Sequence, residues 1–270
     1  MKIAVVTGGG HGIGRALCRR LHRDGMTVVV ADIEGDAART VAAEIDGIAR
    51  ELDVTDEAAM VAMIDEIEKD IGPIDLFISN AGVAFGDGDC GSISREGSLV
   101  PVEERWEPSW QINVMAHVYA ARALVPRMLE RGGGRLINTV SAAGLLSQLG
   151  DSAYTATKAA AMAFAESLAI EYGDKGIAVS AVCPQAVATR LIGIEDDAES
   201  TEGGGFGGND IDGIMQPEDV ADIIIDGANE GRFLILTHPQ VTGYAQRKAA
   251  DHDRWIEGMR RFRDKVMPSA

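Results

Sequence analysis

Short runs rich in valine and isoleucine alternate along the chain with segments of helical periodicity, and no other feature limits the possible folds so strongly. Apolar runs that end in glycine or aspartate are typical of buried strands, and the connections between them, of about 12 residues, suit single helices. Strands joined in this way form right-handed crossovers within a parallel sheet. We therefore predict an α/β fold, a doubly wound (Rossmann) parallel sheet of about seven strands with helices on both faces.

Two loops and a C-terminal segment interrupt this alternation. Residues 84–110 form a long glycine-rich loop that leads into a helix, and residues 193–215 hold seven acidic residues and no basic one. The second composition is typical of a mobile lid. Residues 241–266 have the pattern of one amphipathic helix, for which packing or subunit contact is the favoured role and closure over a pocket the alternative. We expect a single domain, with residues 241–270 as its helical extension.

Charge, hydropathy and cysteine content exclude several kinds of partner. The chain has 42 acidic and 25 basic residues, a formal charge of −17, whereas nucleic-acid phosphates are bound by clustered lysine and arginine. We therefore expect no nucleic-acid partner. No apolar run approaches the roughly 20 residues that span a membrane, so we expect no membrane segment. Three widely separated cysteines, without metal-binding spacing, indicate reduced thiols, a cytoplasmic protein and no metal site.

A glycine-rich turn, TGGGHGIG at residues 7–14, joins the first predicted strand to the first helix. Gly8 permits the tight turn, Gly12 lets a ligand approach the backbone, and Gly14 allows close helix packing. The helix N-terminus then presents free amides to a pyrophosphate. A Walker loop is excluded because no Gly-Lys-Ser/Thr follows. The turn predicts a dinucleotide site, with a purely structural turn as the alternative.

Asp32 indicates which dinucleotide binds. It ends the second predicted strand, 18 residues beyond Gly14. A carboxylate at this position accepts hydrogen bonds from a ribose 2′-hydroxyl and repels a 2′-phosphate. His11, in place of an arginine or lysine, supports the same choice. The sequence favours NAD over NADP, and an NADP-preferring carbonyl reductase stays open as an alternative.

The next two strands also end in residues suited to ligand binding. Asp53 and Val54 close the third strand, and Asn80, Ala81 and Gly82 close the fourth. The carboxyl ends of parallel strands meet at one edge of the sheet, where ligands bind in open α/β folds. We therefore predict that these residues contact the cofactor. The alternatives are a helix cap for the aspartate and a turn for the asparagine.

Tyr154 and Lys158 are four residues apart in a predicted helix over residues 152–170, so they share one helix face. A cation close to a phenol favours the phenolate and lowers the tyrosine pKa, which gives a usable general acid or base. Ser141 follows the fifth strand and is within reach of the same point. An isolated pair of this kind is more often a surface feature, and only its combination with the other motifs favours catalysis.

Together these motifs make the chain resemble the classical short-chain dehydrogenase/reductase family over residues 1–240. The resemblance implies an NAD-binding domain that includes the lid 193–215 and transfers hydride between NAD(H) and a secondary alcohol or ketone. It also implies a homodimer or homotetramer, because the segment after Tyr154, AAAMAFAESLAI, is apolar nearly all round. The matching motifs are T-G-x-x-x-G-x-G at 7–14, N-A-G at 80–82, Asn113, Ser141 and Y-x-x-x-K at 154–158.

The resemblance further implies a role for each matching residue. Tyr154 is implied as the general acid or base at the substrate oxygen, and Lys158 as the residue that binds the nicotinamide ribose and tunes the phenol. Ser141 is implied to orient the substrate oxygen, and Asn113 to hold a relay water. The implied cofactor contacts are Gly8, His11, Gly12, Ile13, Gly14, Asp32, Asp53, Val54, Asn80, Ala81, Gly82, Tyr154, Lys158, Pro184, Val187 and Thr189.

The sequence departs from the family pattern at Gln185, where Pro-Gly is usual and Pro-Gln stands. This glutamine must avoid or tolerate a backbone conformation that glycine enters freely. We predict it as a substrate contact together with Ser141 and Tyr154. The acidic lid should repel polyanions, which favours neutral alcohols over coenzyme A thioesters. An NAD-binding sensor or scaffold without turnover is the remaining alternative, although its expected mark, loss of a catalytic residue, is absent.

Overall fold

The computed structural model describes residues 2–86, 105–198, 208 and 210–266. Most of the predicted loop 84–110 and part of the lid 193–215 therefore lie outside the described residues. Seven parallel strands form one sheet, which confirms the predicted α/β fold. The strands are β1 (Ile3–Thr7), β2 (Thr27–Asp32), β3 (Ile48–Glu51), β4 (Ile74–Ser79), β5 (Gly134–Thr139), β6 (Ile177–Cys183) and β7 (Leu234–Leu236).

Helices cover both faces of this sheet. They are α1 (Gly12–Arg23), α2 (Gly35–Glu44), α3 (Glu57–Asp70), α4 (Trp106–Trp110), α5 (Ala116–Glu130), α6 (Ala142–Leu145), α7 (Ser152–Tyr172), α8 (Pro217–Asn229), α9 (Gln240–Ala250) and α10 (His252–Val266). None of the helices in the described part of the chain is long and apolar enough to cross a membrane.

Two apolar cores hold the layers together. On one face α3, α5 and α7 bury residues such as Ile64 and Leu124, and on the other α1, α2 and α8 bury residues such as Leu17 and Ile224. Each side chain of this size contributes about 1.5–3 kcal/mol when fully buried. Both faces of the central strands β1, β2 and β4 are therefore largely apolar.

The strand order places the ligand site. It runs β3-β2-β1-β4-β5-β6-β7, so the direction of winding reverses between β1 and β4. At such a switch point the loops leave the sheet on opposite sides and open a crevice at the carboxyl ends of the strands. The glycine-rich turn after β1 and the motif after β4 lie on either side of this crevice.

The C-terminal segment corrects one prediction. A single helix over residues 241–266 was expected, and the structure has two, because Asp251 adopts an extended backbone with φ −156° and ψ 97°. The Asp251 side chain begins the second helix by accepting a hydrogen bond from the Arg254 N–H at 2.9 Å. Ala249 and Ile256, on these two helices, are both exposed. The bend instead lets the two helices wrap around the end of the sheet near α6.

Candidate active site

The carboxyl ends of the strands surround a cavity of about 510 Å³. Every residue predicted to contact the cofactor lines it, as do Ser141 and Gln185. Further lining residues, among them Ile33, Leu52 and Ile112, were not predicted, because apolar residues beside a strand end carry no chemical signal in the sequence. Asn113 does not line this cavity and is fully buried next to it. The fold therefore brings the predicted residues other than Asn113 to one cavity, and their roles stay predictions.

The glycine-rich turn leaves no space for larger side chains. Gly8 and Gly12 have φ of +61° and +47°, in the left-handed region that favours glycine. A Cβ on Gly12 would lie 2.7 Å from Thr189 Cγ2, and a Cβ on Gly14 would overlap the Gly8 carbonyl oxygen. The backbone at the start of α1 is thus open to the cavity. This cradle fits a dinucleotide pyrophosphate.

Asp32 stabilises this turn from the end of β2. Its Oδ2 accepts a hydrogen bond from the Gly10 N–H at 2.9 Å, and its Oδ1 accepts one from the Glu34 N–H at 3.0 Å. The residue is 7% exposed and faces the cavity. Two backbone donors therefore fix the carboxylate, which keeps lone pairs for a further donor.

Asn80 joins the ends of three strands. Its Nδ2 donates to the Thr7 and Gly8 carbonyl oxygens at 3.1 and 3.3 Å, and its Oδ1 accepts from Thr139 Oγ1 at 3.2 Å. Thr7 lies at the end of β1 and Thr139 at the end of β5. The asparagine is therefore more than a turn former, since it holds together the strand ends that surround the cavity.

Asp53 does not cap the following helix. Its Oδ1 accepts hydrogen bonds from the Thr55 N–H at 2.9 Å and from Thr55 Oγ1 at 2.7 Å. Asp56 caps α3 instead, because its Oδ1 accepts from the Ala59 N–H at 3.0 Å. The helix-cap alternative for Asp53 is thus wrong.

Ser141, Tyr154 and Lys158 lie together at the inner end of the cavity. Lys158 Nζ is 5.5 Å from the centroid of the Tyr154 ring and donates to the Thr139 carbonyl oxygen at 3.1 Å. Ser141 Oγ accepts from the Ala143 N–H at 3.1 Å, which fixes the hydroxyl at the start of α6. Tyr154 is 8% exposed, and all three residues are buried. A substrate oxygen that reaches the phenol also reaches the serine.

Burial sets the protonation states of this group. It raises the pKa of Tyr154 to about 12, and the nearby Ser141 hydroxyl acts in the opposite direction. It also lowers the pKa of Lys158 to about 8. The phenol pKa is therefore raised in this structure, where the sequence led us to expect a lowered one, because burial removes the hydration of the phenolate. At neutral pH the phenol is protonated and is a proton donor.

Asp151 was not predicted, and it fixes the start of the helix that holds Tyr154. Its Oδ1 accepts from the Tyr154 N–H at 2.8 Å and begins α7, while its Oδ2 accepts from the Phe85 and Gly86 N–H groups at 3.1 and 2.9 Å. This buried carboxylate thus ties the loop after β4 to the catalytic helix. An aspartate directly before a predicted helix is a recognisable cap, but its second contact depends on the fold.

Asn113 lies in a π-helical turn, Gln111–Met115, between α4 and α5. Its Oδ1 accepts from the Val83 N–H at 3.0 Å, and its Nδ2 donates to the Val83 carbonyl oxygen at 2.9 Å and to Thr157 Oγ1 at 3.2 Å. The side chain therefore pairs with the segment after β4 and with the catalytic helix. Its role at a relay water stays a prediction.

Gln185 tolerates its position without strain. Among the described non-glycine residues only Asp46 and Asp197 have positive φ, so the glutamine stays in an ordinary conformation. Its N–H donates to His238 Nδ1 at 3.4 Å. Its buried Oε1 has no hydrogen-bond partner in the described part of the chain. The departure from Pro-Gly thus adds a free acceptor beside the cavity.

The acidic lid touches the cofactor cradle. Asp196 Oδ1 accepts from the Gly12 N–H at 2.9 Å, and its Oδ2 lies 2.6 Å from His11 Nδ1. Gly12 is the first residue of α1, so this carboxylate occupies an amide at the positive end of the helix dipole. The sequence predicted the lid but not this contact.

The fold and this site define a Rossmann-type α/β oxidoreductase. A sequence model of the family described as short chain dehydrogenase matches residues 2–199. The chain belongs to the short-chain dehydrogenase family, and the resemblance inferred from its motifs is confirmed.

Similar proteins have named activities. The chain is 35% identical over 243 residues to 1-deoxy-11-beta-hydroxypentalenate dehydrogenase of Streptomyces exfoliatus, covering 88% of this chain and 83% of that protein. It is 31% identical over 228 residues to cyclohexanol dehydrogenase of Acinetobacter sp. (strain SE19), covering 83% and 86%. A short chain dehydrogenase/reductase from Burkholderia phymatum in complex with NAD has a TM-score of 0.77 at 28% identity, covering 93% and 94%.

Proposed function

We propose that this chain is an NAD-dependent dehydrogenase that interconverts a secondary alcohol and its ketone. The observation that carries the proposal is the Ser141, Tyr154 and Lys158 group at the inner end of a complete dinucleotide cradle. The nicotinamide cofactor, when bound, supplies the hydride chemistry. Two of the similar proteins are named for hydroxyl-bearing substrates, which supports the same reaction class.

The residues of the chain supply proton transfer and positioning. In reduction, the Tyr154 hydroxyl donates its proton to the carbonyl oxygen while Ser141 Oγ hydrogen-bonds the same oxygen. In oxidation, the phenolate accepts the alcohol O–H proton, and a bound nicotinamide would accept the hydride. Lys158 binds ribose hydroxyls and, while charged, favours the phenolate. Burial excludes water and strengthens each of these contacts.

The cofactor preference rests on charge around Asp32. Ile33, which follows it, is 65% exposed at the cavity mouth and offers no positive charge to a phosphate. Arg190 lies near but is engaged with Glu195 at 3.1 Å. A 2′-phosphate at this position would face a carboxylate, so we assign NAD. The two described cysteines, Cys18 and Cys183, are buried free thiols, which supports a cytoplasmic location.

An absorbance assay tests the function. Purified protein with NAD and a panel of secondary alcohols should produce the NADH absorbance band, and the matching ketones with NADH should remove it. A sensor or scaffold would bind NADH, as measured by calorimetry, without any change in absorbance. Binding without turnover across the whole panel would contradict the proposal.

The lid contact predicts an effect on cofactor affinity. Asp196 and a pyrophosphate would compete for the same α1 amide, so Asp196→Asn should tighten NADH binding by about fivefold, since charged hydrogen bonds are roughly twice as strong as neutral ones. Titration calorimetry measures the Kd. Asp197→Asn is the matched control, because Asp197 pairs with Arg15 at 2.7 Å and not with the amide. Equal or weaker binding by the Asp196 variant would refute the competition.

We also propose a homodimer or homotetramer that assembles through α7. In the single chain the outer face of this helix is open, with Ala159 and Ala163 exposed and Ile170 79% exposed. An apolar helix face of this kind is typical of an interface. Size exclusion with light scattering should give a dimer or tetramer mass, which Ile170→Glu lowers. Ile256→Glu, on exposed α10, should leave the mass unchanged, and a monomeric wild type would contradict the proposal.

A further inference from the structure

A second cavity of about 530 Å³ adjoins the active site. It lies between α6 and the C-terminal helices α9 and α10. Gln185 lines both cavities, and Ser141 and Ala142, consecutive in the chain, line one each. None of the residues predicted to contact the cofactor lines this second cavity. It therefore adjoins the cavity that holds Ser141 and is separate from the cofactor cradle.

The walls of the second cavity are mainly apolar. Ala143 and Leu146 line it from α6 and the residue after it, and Trp255, Met259 and Phe262 line it from α10. Its volume is within the range of small-molecule sites, which are apolar cavities with a few polar groups. A body of several fused or linked hydrocarbon units fits this chemistry.

The contacts that close the second cavity are well defined. Lys248 Nζ donates to the Leu145 and Leu146 carbonyl oxygens at 2.8 and 2.6 Å, which fastens α9 beside α6. The Tyr244 hydroxyl donates to Asp212 Oδ1 at 2.9 Å and joins α9 to the lid. The C-terminal extension therefore forms a fixed wall next to the catalytic serine.

The charge on the rim of this cavity is opposite to that of the chain. Of the described residues, three arginines and one carboxylate, Asp251, line it, whereas the chain carries a formal charge of −17. Arg247 stacks over Tyr244 at 4.9 Å, and Arg261 lies 4.0 Å from Glu257. Arg254 forms no ion pair within the described part of the chain. Its guanidinium is therefore available to a ligand.

We propose that the second cavity binds the body of the substrate, and that the substrate is an apolar secondary alcohol with one carboxylate, which Arg254 binds. This inference rests on the proposed dehydrogenase function. Of the three arginines, Arg254 alone has neither an ion pair nor a ring contact in the described part of the chain, which suits one negative charge. A dianion would also face Asp251. The free Gln185 Oε1 lies where the two cavities meet and accepts a hydrogen bond from a polar group of the substrate. The charge of the lid favoured neutral alcohols as substrates, and this proposal replaces them with alcohols that carry one negative charge.

A series of hydroxy acids measures the distance between the catalytic group, which takes the hydroxyl, and Arg254, which takes the carboxylate. Each acid has its hydroxyl on the penultimate carbon, with chain lengths from hexanoic to dodecanoic, and each is compared with its methyl ester. Initial rates with NAD should give a kcat/KM that is greatest at one chain length. At that length we expect the acid to exceed the ester by about tenfold, the size of one charge-assisted hydrogen bond.

Two variants assign this preference to a residue. Arg254→Gln should bring the acid-to-ester ratio of kcat/KM close to one, and Arg254→Lys should restore part of it. Arg260→Gln is the matched control, because Arg260 is exposed on the same helix and does not line the cavity. The control should keep the wild-type ratio. The rates with the methyl esters show whether a variant has lost activity for a reason unrelated to the carboxylate.

The outcomes separate the two proposals. Equal rates for acids and esters in the wild type, or an unchanged ratio in Arg254→Gln, would overturn the carboxylate site and leave the dehydrogenase function standing. If no alcohol is oxidised, the function fails, and calorimetry with octanoate then decides the site. Binding of octanoate that weakens about tenfold in Arg254→Gln would support it, and absence of binding would overturn it.

Discussion

Tyr154→Phe should lower kcat/KM by about a thousandfold, because general acid–base catalysis contributes roughly 10²–10⁴. The substitution removes one hydroxyl from a buried side chain and leaves the ring in place. Lys158 and the glycine-rich turn are untouched, so the Kd for NADH should change by no more than about twofold, far less than the loss of one charged hydrogen bond. Steady-state rates and calorimetry measure the two effects separately.

The pH profile of the wild type checks the same assignment. Burial raises the Tyr154 pKa to about 12, so the phenolate fraction at neutral pH is small and rises about tenfold for each pH unit. Alcohol oxidation should therefore rise with pH until Lys158, whose pKa is lowered to about 8, loses its proton. Ketone reduction, which needs the protonated phenol, should stay flat over the same range.

A matched control removes the same hydroxyl elsewhere. Tyr172 lies at the other end of α7 with Lys175 over its ring at 5.1 Å, and it lines neither of the two large cavities. Tyr172→Phe should keep the wild-type rate and pH profile. Full activity in Tyr154→Phe would show that another group moves the proton.

The fold could be predicted because each strand is a local, apolar signal. The runs are apolar on both faces, which only a sheet covered on both sides requires. The C-terminal break could not be predicted in the same way. Residues on both sides of Asp251 suit a helix, and the contact of Lys248 with Leu145, 103 residues earlier in the chain, has no local pattern that reports it.

The site could be predicted because parallel topology brings the strand ends to one edge. Residues from Gly8 to Thr189 meet in one cavity for this reason. Spacing within a helix places Tyr154 near Lys158, but it gives no measure of burial, and burial decides the direction of both pKa shifts. The contact of Asp196 with the α1 amide joins residues 184 positions apart, so no local pattern reports it.

The second large effect concerns the cofactor. Asp32→Asn should reduce the ratio of kcat/KM with NAD to that with NADP by about a hundredfold or more. Two losses add: the ribose hydroxyls lose a charged acceptor, worth about 1.5–3 kcal/mol, and the 2′-phosphate loses a repulsion of up to about 4 kcal/mol at contact distance near a surface. The asparagine oxygen can still accept one backbone hydrogen bond, so the turn before α1 should survive.

Measuring rates with both cofactors at equal concentration tests this expectation. Asp53→Asn is the matched control, because it makes the same change in the same cavity, and the asparagine oxygen can keep the contacts with Thr55. The family resemblance implies that Asp53 meets the adenine and not the ribose 2′ position, so the NAD-to-NADP ratio should stay within about threefold, less than one hydrogen bond. If the wild type prefers NADP by tenfold, the interpretation of Asp32 is wrong. A carboxylate in contact with the 2′-phosphate should affect the ratio more than a distant one. If both variants change the ratio equally, the preference therefore comes from the total charge of the cavity and not from Asp32.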